Sequence, residues 1–166
     1  MAYSGKYKVK NIRKYRGNPD KVVYRSHWEK MVFLWCDKHD EITEWSSEET
    51  VVPYYYEVDK RYHRYFVDLK IKFNTGEVIL VEIKPAKETE PPKRPDKSKR
   101  YINEAMTYVK NMNKWEAADT FAKDRGWKFQ IWTENTLQSM GIMAKMSNKL
   151  KPLKPLKPYR KRSKKR

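Results

Sequence analysis

Residues 64–85 read RYFVDLKIKFNTGEVILVEIKP, and this stretch predicts a β-hairpin. Two runs rich in Val, Ile, Phe and Tyr flank Asn74-Thr75-Gly76. A three-residue loop with glycine in the left-handed position is a common hairpin connection. If Phe73 and Glu77 close the loop, the turn sets the register of every residue pair in the two strands.

That register places two carboxylates, Asp68 and Glu82, opposite each other on one face of the sheet. Lys84 shares this face, since residues two apart in a strand point to the same side, whereas Val81 and Ile83 point into a core. Facing carboxylates repel, so the pair needs a cation or a protonated member. Mg²⁺ is the expected cation because it prefers hard oxygen ligands from carboxylates and phosphates. A solvated charged face is the alternative, since 36% of the residues are charged.

The remaining pattern predicts an α/β fold with a mixed central sheet flanked by helices. We expect a basic, irregular N-terminal arm over residues 1–23 and a folded domain over residues 24–143. Strands are expected over residues 42–45, 51–58 and 127–132, helices over residues 99–109 and 113–125, and a short last helix from Thr133. The helix from Asn113 is expected to start there because Asn113 and Glu116 form a capping pattern, and to end at Gly126.

The segment YRSHWEKMVFLWCDK predicts a buried helix capped by Ser26, because apolar residues repeat at helical spacing. Ser26 and Glu29 form the Ser-x-x-Glu pattern of a capping box, which by itself indicates a structural role. The single cysteine, Cys36, excludes an internal disulfide and a cysteine-based zinc site, and it is expected to pack in the core.

The charge of the chain makes nucleic acid the leading partner and an anionic membrane surface the next. The chain has 38 Lys and Arg against 21 Asp and Glu, a net charge of +17. No apolar run approaches the roughly 18 residues of a membrane span, and no signal-peptide core follows Met1. We therefore expect a soluble cytoplasmic protein without a membrane partner.

Two basic segments are candidates for DNA contact. The loop predicted over residues 85–98 holds four prolines and follows Lys84 directly, so Lys87, Lys93 and Arg94 can reach a phosphate backbone. A solvated connector is the alternative for this loop.

The second segment is a Lys/Pro-rich tail over residues 144–166. Its last 22 residues carry eleven Lys and Arg and no acid, which predicts a disordered tail. Nucleic acid is its expected partner, with Arg160, Lys161 and Arg162 among the contacts, and an acidic protein surface is the alternative.

Val67-Asp68 followed by Glu82-Ile83-Lys84 resembles the D…E-x-K core of the PD-(D/E)XK restriction-endonuclease-like nucleases, with Val67 in place of proline. Ser26-x-x-Glu29 ahead of this core is similar to the arrangement in TnsA-type transposon-end nucleases, where the helix glutamate belongs to the catalytic set.

The resemblance implies a catalytic set made of Glu29, Asp68, Glu82 and Lys84. It further implies that Asp68, Glu82 and the main-chain carbonyl of Ile83 hold Mg²⁺, for which Mn²⁺ can substitute. Glu29 would take a second ion or a water, and Lys84 would orient the nucleophile.

A longer similarity runs through MAYSGKY, KYRGNP, YRSHWEK, RYFVDL, VEIKP, KETEPP and GWKFQIWTE. Over residues 1–142 the chain resembles the head completion nucleases of T-even-type tailed phages. This implies an endonuclease, also able to act as an exonuclease, that is assembled in the host cytoplasm and resides in the phage head. Its partners would be DNA and the capsid portal or head-tail connector. The alternatives are another nuclease of this fold, such as a junction resolvase or a transposon-end nuclease, and a catalytically inert nucleic-acid-binding protein.

Overall fold

The computed structural model describes residues 3–93 and 96–144. The described helices are α1 (His27–Lys38), α2 (Lys99–Asp124) and α3 (Glu134–Ser139). The described strands are β1 (Gly5–Lys6), β2 (Val23–Tyr24), β3 (Ile42–Ser47), β4 (Val51–Tyr56), β5 (Arg61–Phe66), β6 (Leu69–Phe73), β7 (Val78–Ile83) and β8 (Lys128–Trp132).

A mixed four-stranded sheet of order β3-β6-β7-β8 forms the centre of the fold, which confirms the predicted α/β class. Strands β3, β6 and β7 are antiparallel neighbours, and β8 is parallel to β7. The Phe73 N–H donates to the Glu77 carbonyl at 2.9 Å, and Gly76 has a φ of 87°. Leu69 consequently pairs with Val81, in the register that the turn predicted.

The first run of the hairpin is not one continuous strand, and here the prediction was wrong. Its N-terminal part is β5, which pairs with β4 in a separate two-stranded ribbon. Between the sheets, the Val67 N–H donates to the Thr50 carbonyl at 3.0 Å, and the Asp68 carbonyl accepts from the Glu48 N–H at 3.2 Å. The chain therefore changes sheets at Val67-Asp68, and Asp68 lies in this break, just before β6.

The central sheet carries a hydrophobic core on each face, because alternate residues of β7 point in opposite directions. Val81 and Ile83 belong to the cluster that contains α1, as predicted. Leu80 belongs to a second cluster, which includes Trp115 of α2 and the inner face of the β4-β5 ribbon. Glu82 shares the Leu80 side of the strand.

The described part of the N-terminal segment packs into the first core. Tyr7 and Val22 are buried, and β1 pairs with β2. Asp37, a buried residue near the end of α1, accepts hydrogen bonds from the Tyr7 hydroxyl at 2.6 Å, the Lys10 N–H at 2.9 Å and the Trp45 indole at 3.1 Å. Sequence patterns did not single out Asp37, although it ties the segment to the helix.

Helix α2 is one continuous helix of 26 residues, so the prediction of two helices was wrong. It is capped by Ser98, whose hydroxyl accepts from the Tyr101 N–H at 3.1 Å, and it ends before Gly126, which has a φ of 72°. Asn113 does not cap a new helix, because its side chain accepts from the Glu57 N–H at 3.1 Å instead.

Cys36 is buried in the core as predicted, and the short last helix begins after Thr133, where it was expected. Pro53 lies on the exposed side of β4, whose one strand partner in the described residues is β5. Among the helices of the described chain, none combines the length and the apolar character needed to cross a bilayer.

Candidate active site

The sheet break and the hairpin bring Asp68, Glu82 and Lys84 together at one end of β7. The Asp68 carboxylate accepts a hydrogen bond from the Ile83 N–H at 2.8 Å. The side chain therefore binds the backbone of β7 just outside the end of β6. The Lys84 ammonium lies 3.8 Å from the Glu82 carboxylate and 3.8 Å from that of Glu88. These distances exceed those of direct hydrogen bonds, so the lysine is held near both acids without being locked to either.

The Asp68 and Glu82 carboxylates repel each other electrostatically. Burial, followed by the charge of Glu82, raises the pKa of Asp68 well above its ordinary value. The negative charge of Glu29 adds to the rise, and the Ile83 N–H and Lys84 oppose it. Glu82 is itself only 7% exposed. Without a cation, the protonated form of Asp68 is therefore favoured more than in an ordinary aspartate.

Glu29 lies in the first turn of α1 and takes part in helix capping. Its N–H donates to the Ser26 hydroxyl at 3.1 Å, and its carboxylate accepts from the Arg25 N–H at 2.8 Å. Burial raises the pKa of Glu29. Its charge also contributes to the raised pKa of Asp68, so this capping glutamate lies within electrostatic range of that carboxyl.

Glu48, which sequence reasoning missed, completes the surroundings of Glu29. It has a φ of 55°, a conformation that is uncommon for a residue with a side chain. Its carboxylate pairs with the Arg25 guanidinium at 2.8 Å, and its N–H holds the Asp68 carbonyl. Strained backbone of this kind clusters at functional sites. The residue had no distinguishing sequence signal, because it looked like part of a connecting turn.

Two further missed residues approach from the second core. The Tyr65 hydroxyl donates to the Glu82 carboxylate, and the Lys114 ammonium of α2 lies 5.4 Å from the centre of the Tyr65 ring. In an unbroken hairpin, Tyr65 would have paired with a residue beyond Glu82. A contact between Tyr65 and Glu82 was therefore not expected. Lys114 lies one helical turn after Lys110, so the two lysines share a face of α2. The predicted helix start at Asn113 separated them and hid this pattern.

The predicted DNA-contact residues Lys87 and Lys93 are exposed. Both line a cleft of about 660 Å³ between the segment after β7 and the first half of α2. Glu88 lines the same cleft, and its carboxylate lies 3.8 Å from the Lys84 ammonium, which connects the cleft to the acidic pair. The other predicted contacts, Arg94, Arg160, Lys161 and Arg162, lie outside the described residues.

The donor set fits a divalent cation that prefers oxygen. Each acid of the pair has one oxygen committed, in Asp68 to the Ile83 N–H and in Glu82 to Tyr65. Within residues 3–93 and 96–144, no cluster of three or more His, Cys, Asp or Glu side chains forms a complete metal site. The pair would therefore share an ion with a backbone carbonyl, water and substrate oxygens, the coordination typical of Mg²⁺.

Comparison with known proteins points to nucleases. Residues 39–134 match the family described as TnsA-like endonuclease N terminal. A head completion nuclease of Enterobacteria phage T4 is 47% identical to the chain over 147 residues, which cover 86% of this chain and 98% of the phage protein. The segment matched by the family contains Asp68, Glu82 and Lys84, and it begins after Glu29.

Proposed function

The chain belongs to the TnsA-like endonuclease family, and we propose that it is a nuclease of phage head completion that hydrolyses DNA with the help of Mg²⁺. The observation that carries this proposal is the acidic pair of the half-buried Asp68 and the buried Glu82, with Lys84 beside it. A catalytically inert binding protein has no need to bring two repelling carboxylates together away from solvent, since the arrangement costs stability until a cation arrives.

In this proposal Asp68, Glu82 and the main-chain carbonyl of Ile83 hold Mg²⁺, or Mn²⁺ in its place. A bound divalent ion supplies positive charge against a phosphate oxygen and makes water more acidic. The hydrogen bonds from the Ile83 N–H to Asp68 and from Tyr65 to Glu82 orient the two carboxylates toward the shared position.

Lys84 orients the attacking water and offsets the negative charge that gathers on the phosphate oxygens in the transition state. Its position supports this role, because the ammonium stands 3.8 Å from two acids and can turn toward a phosphate without breaking a short ion pair. Glu29 positions a water or a second ion from the α1 side, where its charge already acts on Asp68.

The substrate is DNA, and basic residues hold its backbone. Lys87 and Lys93 do so from the cleft that Glu88 also lines, and the sequence predicts the same role for Arg94 and for the basic tail. Endonucleolytic cutting in the phage head, before the tail attaches, places the capsid portal or the head-tail connector among the partners.

A plasmid-nicking assay in Mg²⁺, in Mn²⁺ and in EDTA tests this function. We expect nicking only with a divalent cation, and a loss of about 10²–10³-fold for each of Asp68→Ala, Glu82→Ala and Lys84→Ala. Glu77→Ala is the matched control, because Glu77 is an exposed acid of the same hairpin that pairs with Lys128 at 3.0 Å.

Two results would contradict the proposal. A wild-type protein that binds DNA but never nicks it with either ion is the inert binding protein. A variant of the acidic pair that keeps more than about a hundredth of the wild-type rate removes that residue from the proposed set.

A further inference from the structure

Lys114 reaches the candidate site from α2, whereas Lys84 reaches it from the end of β7. Its ammonium lies 5.4 Å from the centre of the Tyr65 ring and 5.9 Å from that of Tyr54. Tyr65 in turn donates its hydroxyl to Glu82. The two aromatic faces therefore fix the lysine next to the acidic pair, within range of its charge.

The ammonium of Lys114 is partly desolvated, and no carboxylate of the described residues forms an ion pair with it. Over the described part of the chain it forms neither a salt bridge nor a hydrogen bond, although the residue is half-buried. Burial accordingly lowers its pKa, and the charges of Glu82 and Asp68 act in the opposite direction. A cation in this position gains free energy if a ligand supplies the missing anion.

The acidic pair makes no salt bridge or hydrogen bond with Lys114 among the described residues. One Glu82 oxygen accepts from the Tyr65 hydroxyl, the other lies 3.8 Å from Lys84, and one Asp68 oxygen accepts from the Ile83 N–H. An ion held by these carboxylates would engage them further. The ammonium therefore stays open to an anion from outside, and the ligand that meets both a divalent cation and two lysines is a phosphate.

We propose that Lys114 binds a phosphate of the DNA strand that crosses the Asp68–Glu82 pair, so that the strand is held between Lys84 on β7 and Lys114 on α2. This inference rests on the proposed function for its ligand. It adds a substrate-binding residue from a helix outside the D…E-x-K pattern, and it defines the α2 side of the site as the path of the DNA backbone.

The experiment measures binding of a short DNA duplex in EDTA over a series of salt concentrations, where hydrolysis plays no part. Lys114→Gln keeps the aliphatic stem against the tyrosines and removes the charge. We expect it to lower the slope of log affinity against log salt by about 0.9, the loss of one phosphate contact, while Lys114→Arg keeps the wild-type slope. In the nicking assay Lys114→Gln should raise KM by more than it lowers kcat.

Lys123→Gln is the matched control, because Lys123 is an exposed lysine of the same helix that pairs with Asp119 at 2.7 Å. The inference is overturned if Lys114→Gln binds with the wild-type slope, or if Lys123→Gln loses as much as Lys114→Gln. Neither result depends on cleavage, so a failure of this inference is distinct from a wild-type protein that fails to nick DNA. Melting curves of all three variants verify that each is folded.

Discussion

Removing one hydroxyl group, by Tyr65→Phe, should weaken the use of the divalent ion while leaving the fold intact. The hydroxyl donates to Glu82, and the ring packs in the second core under Lys114. Phenylalanine keeps the ring, so the packing and the contact with the lysine remain. The variant therefore isolates a single hydrogen bond to a proposed ion ligand.

The size of the effect follows from the charge of the acceptor. A hydrogen bond to a charged group contributes about 1.5–3 kcal/mol, and each ~1.4 kcal/mol is a factor of ten in an equilibrium constant. Loss of the bond lets Glu82 leave the orientation that the ion requires. We expect the Mg²⁺ concentration for half-maximal cleavage to rise by about 10–100-fold, the range found for partners that orient metal ligands.

The assay is the nicking rate as a function of Mg²⁺ concentration, with the maximal rate recovered to within a few-fold at saturation. Tyr62→Phe is the control, because Tyr62 lies on the same strand with 78% of its surface exposed and contacts Tyr55 rather than an acid. An unchanged midpoint for Tyr65→Phe would refute the orienting role. A lower maximal rate with an unchanged midpoint would refute it as well, since the hydroxyl would then act in the chemical step.

Four further outcomes test other parts of the structure. Glu29→Gln keeps an acceptor for the Arg25 N–H and removes the charge, so we expect unchanged melting with lost nicking; full activity would restrict Glu29 to capping. Asp37→Ala strands the Tyr7 hydroxyl and the Trp45 indole inside the core, and chemical denaturation should show a loss of about 3–5 kcal/mol, whereas a loss below ~1 kcal/mol would contradict the anchoring role. Asp68 has a raised pKa in the folded state, so its contribution favours folding in acid and is lost as pH rises from about 3.9 through the folded value. In EDTA, Asp68→Asn should therefore melt above wild type near neutral pH and lose this advantage in acid, and an equal melting temperature at both pH values would oppose the repulsion argument. Truncation after Met143 removes eleven basic residues, and engagement of half of them would lower the salt slope of DNA binding by roughly 5; an unchanged slope would assign the tail to a protein partner.

The hairpin shows how far local chemistry alone determines this protein. The loop around Gly76 accepts one hydrogen-bonding pattern, and the period of two in a strand then orders every residue that follows. The opposition of Asp68 and Glu82 could thus be predicted from the sequence without knowing the fold. The Ser26 cap was predictable for the same reason, because it depends on residues that are close together in the chain.

The break at Val67-Asp68 depends on the second core and could not be predicted in this way. Asp68 is a weak strand former, but the residues on both sides of it favour extended structure, so the local sequence does not predict a break there. The chain changes sheets because the β4-β5 ribbon packs under α2, and that packing is a property of residues far apart in sequence. The change of sheet is also what turns Tyr65 toward Glu82.

Helix α2 shows the same division between local and distant interactions. The capping pattern at Asn113 is a valid local signal, yet the Asn113 side chain is bound by the Glu57 backbone, 56 residues earlier in the chain. The helix continues through Asn113 and places Lys114 over the ring of Tyr65, whose hydroxyl binds Glu82. The sequence by itself determined the acids and Lys84, because a turn and a strand period are local. Only the tertiary structure decided which tyrosine, glutamate and second lysine surround them, because long-range packing positions those three.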